Sequence, residues 1–483
     1  MKSALQRSTA QLTLALAVLW SAPVLAQDSH DGERASTATA PAAPVPVGNR
    51  PYQSVRYLED YSALATAPST DVWDPLKYVA LWPGGYLSLG GQHRLRYELV
   101  SPTNAGLAPD ATVESVMLSR NLLHLDLHLA PQLRIFAQLG AYYALGAPTR
   151  QDTPDVDRLD VAQLFLEARA KLGGVQLIAR AGRQEMPLGS TRWVSPRDGT
   201  SVRQAFDLVR LTLATSSWNL EAFYGGVPAL KPGTFDDAPD PQNRFWGAYA
   251  TIPVLPKKLL SVESFYLGRG RPHVTYRELS GREVRHTFGV RVYGQTSSGL
   301  EYIEHALLQV GSLGSANIRA WGLATALWQR LPGVLRPIRI GVRGDALSGD
   351  GHAGDGTAST FNPLFPNQTF FSALPAIYPS NLYDVHPLIR FEGETLTLES
   401  GCIFFWRQAV EDAVYQPPGP PLLTGAQTRA AFTGSQLSTS VAYKANRHLL
   451  FNAEFSHVFA GPAITQAGGG DVNFFGTWTT YTY

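Results

Sequence analysis

Residues Leu123–Leu129 read LHLDLHL. In an extended chain this puts the leucines on one side and His124, Asp126 and His128 on the other, the period-two signature of a strand. Leu87–Val100 (LSLGGQHRLRYELV) follows the same rule. Leu87, Leu89, Leu95, Tyr97 and Leu99 share one face, and Ser88, Gln92, Arg94, Arg96 and Glu98 the other. Val175–Ala181 (VQLIARA), Ile338–Asp345 (IRIGVRGD) and Leu449–His457 (LLFNAEFSH) repeat it. Such segments begin near 86, 116, 133, 163, 175, 203, 218, 245, 259, 284, 300, 316, 338, 384, 396, 437, 449 and 473, eighteen in all.

The gaps between them alternate in length. Those at 130–132, 172–174, 215–217, 253–258, 295–299, 392–395 and 445–448 are tight. Those at 101–115, 146–161, 185–202, 225–243, 268–283, 346–383, 408–435 and 460–472 are long and rich in Gly, Pro, Asp and Asn. A short gap at 310–315 and a longer one at 326–337 depart from the rule. An even strand number with short turns at one end and long loops at the other is the arithmetic of an outer-membrane barrel with both termini periplasmic. A soluble sandwich has no reason to alternate loop length. The fold expected is therefore all-β: a single 18-stranded antiparallel transmembrane β-barrel over 86–483, with residues 51–85 leading into it.

The N-terminus agrees. Lys2 and Arg7 precede an apolar run, Leu12–Trp20 (LTLALAVLW), and Val24-Leu25-Ala26 offers a small-residue cleavage site before Gln27. This reads as a signal peptide over 1–26. No cysteine follows the apolar run, which excludes a lipid-anchored lipoprotein. Residues 27–50, dominated by Ala, Pro, Ser and Thr, lack the apolar content to fold and are expected to be a disordered periplasmic segment. The final segment alternates Phe475, Thr477, Thr479, Tyr481 and Tyr483, an ending similar to the signal read by the barrel-assembly machinery.

Composition narrows the function. The 483 residues carry 40 basic and 39 acidic side chains, a net charge of +1 that argues against a nucleic-acid binder. One cysteine, Cys402, excludes an intramolecular disulfide and multi-cysteine metal sites. Arginine outnumbers lysine 33 to 7. Phasing each strand by its apolar residues puts Arg94, Arg96, Arg120, Arg134, Arg169, Arg180, Arg210, Arg285, Arg291, Arg319, Arg339, Arg343, Arg390 and Arg407 on the inward parity. Inward acids are fewer: Glu98, Asp126, Glu167, Glu221, Glu263, Asp345, Asp384, Glu399 and Glu454. An arginine facing lipid at the midplane costs ~2–4 kcal/mol, which keeps that face apolar. Guanidinium forks hold carboxylates in bidentate fashion, so a staggered set of them suits an anion conduit. The plainer reading is a set of arginine–carboxylate braces along the wall.

Other constellations carry less. His124, Asp126 and His128 share a face in the manner of metal ligands, but also suit hydrogen bonding in a wet lumen. The loop Asp350–Asp355 lacks the ligand spacing and closing Glu of a calcium loop. Ser456 and His457 point to opposite faces, the wrong geometry for a nucleophile and its base. No catalytic site, metal site or cofactor is expected, and the protein is read as not an enzyme.

Several strings resemble the alginate export family of outer-membrane barrels: RYLEDYSAL (Arg56–Leu64), WDPLKY (Trp73–Tyr78) and LGGQHRLRYE (Leu89–Glu98). GRQEMPLGSTRWVSPRDGTSVRQAFD (Gly182–Asp207) is the longest and most specific. GTFDD (Gly233–Asp237), RHTFGVR (Arg285–Arg291), SGD (Ser348–Asp350) and TFNPLFP (Thr360–Pro366) follow in the family's order. The resemblance implies an eighteen-stranded barrel with an electropositive constriction that passes polyuronate. It also implies roles for Arg94, Arg96, Arg183, Arg192, Arg197, Arg203 and Arg291, which match the family's arginine-bearing motifs. Four of these fall in or beside the 185–202 gap, so Gly182–Asp207 is expected to fold into the pore. Exporters of this kind are expected to guard the periplasmic mouth with an extended turn, for which only 326–337 is long enough.

The reading is thus a passive, anion-preferring outer-membrane channel for anionic polysaccharide or uronate-type solutes, monomeric and embedded in outer-membrane lipid. An uptake porin for small anionic or sugar-acid nutrients is the alternative. An outer-membrane enzyme or adhesin on a barrel scaffold is the third.

Overall fold

The computed structural model describes residues 52–483 apart from 110, 153, 255–258, 277–278 and 332–336. The expected signal peptide and the 27–50 segment lie outside the described residues. Eighteen strands form the wall: β1 (Gly85–Ser101), β2 (Glu114–Ala130), β3 (Leu133–Leu145), β4 (Asp157–Leu172), β5 (Val175–Glu185) and β6 (Ala205–Ala214). They continue as β7 (Asn219–Gly226), β8 (Arg244–Pro253), β9 (Ser261–Tyr276), β10 (Leu279–Gln295), β11 (Leu300–Leu313) and β12 (Ala316–Arg330). The last six are β13 (Ile338–Leu347), β14 (Leu382–Glu392), β15 (Leu396–Trp406), β16 (Phe432–Lys444), β17 (Leu449–Ala460) and β18 (Val472–Thr482).

Each strand pairs antiparallel with its sequence neighbours, and β18 returns to β1 in the register Gln92↔Thr482 through Ser101↔Asn473. Closure leaves the sheet without an edge, so every wall amide and carbonyl can be bonded without water. No helix among the described residues is long and apolar enough to cross a membrane. The strands do so.

Alternation sorts the two faces. On β2, Met117, Leu123 and Leu125 are exposed while Arg120, His124 and Asp126 are buried. Leu164 and Leu166 on β4, Phe451 and Phe455 on β17 and Val385 and Ile389 on β14 continue the outer band. In an aqueous protein such a band would be a liability; against acyl chains it is the driving force for insertion.

Two expectations about loop length need correcting. The long gap expected at 268–283 is instead mostly strand, because β9 and β10 stay paired up to Tyr276↔Leu279. Polar residues such as Arg269, Arg271 and Glu283 are there because this hairpin continues past the apolar band, and they hid its pairing. Likewise β12 runs on to Arg330, so the candidate guard at 326–337 loses its first five residues to the wall, and residues 332–336 lie outside the described residues.

The segment before β1 docks on the inner wall. Val55 and Tyr57 pack with Phe136 and Phe165 in a small buried cluster. Arg56 donates to the carbonyls of Gly91 (2.9 Å) and Tyr483 (3.0 Å), tying this segment to the seam where the barrel closes. A four-residue helix, Asp74–Lys77, then brings Lys77 Nζ to the carbonyl of Leu89 at 2.8 Å. Burial, reinforced by the Arg56 guanidinium, pushes the Lys77 ammonium down to about 7. A strand of four residues, Val79–Trp82, hairpins into β1.

The apolar band predicts a depth-dependent penalty. Leu123→Arg, at the centre of β2, should destabilise the barrel by ~2–4 kcal/mol, and Leu172→Arg, at a strand end, by only ~0–1 kcal/mol. Urea titration of folding into lipid vesicles measures both.

Candidate functional site

Across the wall, strand register sets arginine opposite arginine. Arg94 faces Arg120, Arg180 faces Arg210, and Arg339 faces Arg390. Like charges directly opposite repel, so each pair requires counter-charge. Glu167 serves Arg180 (2.8 Å) and Arg134 (3.3 Å). Glu221 holds Arg210 (3.1 Å), and Glu263 holds Arg291 (3.0 Å). Glu399 takes Arg390 at 2.6 Å, while Glu392 and Glu301 take Arg339. Arg134 also reaches Asp126 (3.3 Å) and the Tyr57 carbonyl (2.8 Å). Asp126 contacts His128 Nε2 at 3.2 Å, and His124 stacks on Phe136, so this trio is spent on packing and ion pairing.

The Arg94–Arg120 pair is balanced by the chain between β5 and β6. Arg94 donates to the carbonyls of Asp198 (2.6 Å) and Thr200 (2.7 Å), and Arg96 to that of Gly199 (2.7 Å). Arg120 bonds the Asp198 carboxylate at 2.7 Å. Arg96 is also paired with Glu98. The tip of this loop is thus held against the inner face of β1 and β2, as the infolding expectation required. At its base, Arg203 forms a two-pronged pair with Glu185 (2.7 and 2.8 Å) and donates to the Ser54 carbonyl (3.0 Å). Arg183 pairs with Asp207 (2.8 Å) and Asp237 (3.1 Å). Arg197 adopts a left-handed backbone (φ 56°) and lies 5.9 Å from the Phe365 ring centroid.

The chain between β13 and β14 folds in beside it. The amide of Ser195 donates to the Phe365 carbonyl and that of Phe365 to Trp193, both at 3.0 Å. Met186, Leu188, Trp193, Val194, Phe361 and Phe365 join Phe206, Phe223 and Phe245 of the wall in the main apolar cluster. The driest part of the molecule therefore lies inside the barrel, made by two loops rather than by the wall alone.

Between these loops and strands β13–β17 runs a polar cavity. Arg192 and Arg343 line it with His386, Glu399, Glu454, Ser372, Ser438 and Ser440, and Phe370 and Phe371 add aromatic faces. Arg192 donates from Nη2 to both carboxylate oxygens of Asp345 (2.6 Å each) and lies 4.2 Å from the Phe370 centroid. Sequence phasing placed Arg343, Glu399 and Glu454 on this face and the family motif pointed to Arg192, but neither found His386, the serines or the two phenylalanines. Only the fold of the loop brings Phe370, Phe371 and Ser372 to the wall; Ser438 and Ser440 carry no signal by themselves.

Two expected lumen arginines, Arg319 and Arg407, are placed otherwise. Arg319 stands on the outer face of β12, where Trp321 and Leu323 are also exposed, while Ile318, Ala320 and Ala324 are buried. Phasing failed because the inner face of β12 is itself apolar: Phe361 of the infolded loop packs where a side chain on Gly322 would stand. Arg407 lies just past β15 and donates to the carbonyls of Val410, Thr428 and Ala430, stapling its loop. Arg285 is inward but is engaged with Glu283 (2.9 Å) and Gln309 (2.7 Å). Arg169 is inward near a periplasmic turn and pairs with Glu167 at 2.7 Å.

Residues 85–477 match the alginate export family. This chain is a member of the alginate export family. Among solved structures, OccAB1 of Acinetobacter baumannii is similar at a TM-score of 0.55 and 10% identity, covering 82% of this chain and 96% of that one. OccK11 (OpdR) of Pseudomonas aeruginosa gives 0.52 at 12% identity, over 82% and 95% of the two chains. OccK8 (OprE) of the same organism gives 0.51 at 12% identity, over 82% and 98%. At such identity the likeness speaks for the barrel fold. No curated protein matches the chain. Family and fold together make this alginate export family member a passive channel of the bacterial outer membrane.

If the infolded loop narrows the lumen, deleting residues 188–200 should raise single-channel conductance severalfold. Unchanged conductance would mean that the loop does not lie in the conducting path.

Proposed function

We propose that this alginate export family channel conducts uronate-type anionic solutes past the cavity bounded by Arg192 and Arg343. The observation that carries the reading is the composition of that wall: guanidiniums, hydroxyls and aromatic faces converge on one polar space. Guanidinium forks match carboxylates, hydroxyls match sugar hydroxyls, and ring faces of Phe370 and Phe371 offer apolar contact to a pyranose. Inward acids such as Glu399 and Glu454 keep the field from trapping an anion, since conduction needs sites weak enough to release.

Passage of small sugar acids in the inward direction is a second reading. It is favoured by how far the two loops and the segment around Tyr57 fill the lumen, which suits a monomeric acid better than a wide polymer. Both readings share one anion path.

Adding oligouronates to the channel in a planar bilayer tests it. Concentration-dependent block should appear, and Arg343→Gln should weaken it by about ten- to a hundredfold, as expected for loss of one hydrogen bond to a charged group worth ~1.5–3 kcal/mol. Equal block by neutral oligosaccharides of the same length would sink the proposal.

A further inference from the structure

The motif Gly233–Asp237 (GTFDD) takes no part in the path just described. It lies in the chain between β7 and β8 and docks along the first residues of β4. Arg158 N–H donates to the Gly233 carbonyl (3.0 Å) and Phe235 N–H to that of Leu159 (2.9 Å). Asp237 N–H then donates to Asp160 Oδ2 at 3.0 Å. This pairing gathers carboxylates from two distant stretches of sequence. One carboxylate oxygen each from Asp160, Asp236 and Asp237 lies within 4.8 Å of the others, the one such group of potential metal ligands among the described residues.

A second, separate observation concerns Asp157, on the same strand end. It is only 2% exposed, yet its Oδ1 has no hydrogen-bond partner, and Oδ1 of Asp236 is equally buried and unbonded. Asp157 stands three residues before Asp160 on β4, and after its burial the charges that act on it most are those of Asp237, Asp160 and Asp236. Local cationic balance comes from Arg183, which is already shared with Asp207. Four carboxylates against a shared guanidinium leave a large negative excess in a desolvated place. A buried charge of this kind needs a counter-ion.

We propose that Asp157, Asp160, Asp236 and Asp237 form a binding site for a hard divalent cation of the calcium class at the mouth formed by the long loops. Carboxylate oxygens are the donors that calcium takes, six to eight in number at 2.3–2.6 Å, with water completing the shell. The bonds already made by Asp160 and Asp237 leave lone pairs over, since each ionised carboxylate offers about four acceptor sites. An ion there ties the β7–β8 loop to the end of β4 and, through Asp237 and Arg183, to the strands that carry the infolded loop. The affinity expected is that of extracellular modules, with Kd of about 10⁻⁴–10⁻³ M.

The test is calorimetric titration of calcium chloride into protein refolded in detergent, free of lipopolysaccharide, with heat-modifiable migration on gels confirming the fold of every variant. One saturable site is expected in the native chain. Asp236→Asn and Asp157→Asn should each weaken it at least tenfold, while Arg183→Gln, which removes the competing cation, should not weaken it. Absence of saturable uptake up to 10 mM (about ten times the weakest Kd expected) would overturn the site, as would binding that both Asn variants leave unchanged. A protonated-carboxyl infrared band that persists at neutral pH in saturating calcium and disappears in Asp157→Asn would also overturn it, by showing that a proton rather than a metal ion balances the pocket.

Discussion

The rest of the structure depends on how a ladder of guanidiniums is neutralised inside a narrow wall. Strand register places Arg94 against Arg120, Arg180 against Arg210 and Arg339 against Arg390, each pair too close to stand without counter-charge. Two of these pairs are satisfied within the wall by Glu167, Glu221, Glu399 and Glu392. The third is not. It takes its acceptors from Asp198 and Thr200, with Arg96 beside it bonded to Gly199, so the same electrostatic demand that braces the wall also draws a loop into the lumen. The braces and the constriction are one system.

That coupling explains why the apolar cluster lies inside. Once the β5–β6 loop is pulled inward, Trp193, Val194 and Leu188 must be covered, and the β13–β14 loop supplies Phe361 and Phe365 to do so. What remains open is the polar space on the other side of these loops, near Arg192 and Arg343. Selectivity, on the proposed reading, comes less from the number of arginines than from which few line that polar space.

The barrel was legible because lipid enforces period two on the outer face. Leu123–Leu129 could be phased at sight, and the eighteen segments correspond one to one with the eighteen strands. Phasing failed where both faces are apolar: on β12 the infolded Phe361 dries the inner side, and Arg319 was assigned to the wrong one. It failed again at the β9–β10 hairpin, where polar residues beyond the apolar band look like loop but remain paired. For the site, the inward arginines and the wall acids that brace them, such as Glu167, Glu221, Glu263 and Glu399, were mostly found, but the partners supplied from loops and strand ends were not. Asp198, Glu185 and Asp207 are reached through non-local folding that no periodicity encodes. The docking of Tyr57 beneath Arg180, 4.1 Å from the ring centroid, was equally invisible, since Tyr57 sits in a short irregular segment.

The central claim is that the arginines lining the cavity, Arg192 and Arg343, set the sign of the ion that passes. Reversal potential across a planar bilayer in a potassium chloride gradient reads that sign directly. The account predicts a potential displaced toward the chloride equilibrium value, and displaced less when Arg192 and Arg343 are both replaced by Gln. A potential on the potassium side, or one at zero that the double replacement leaves in place, would contradict it.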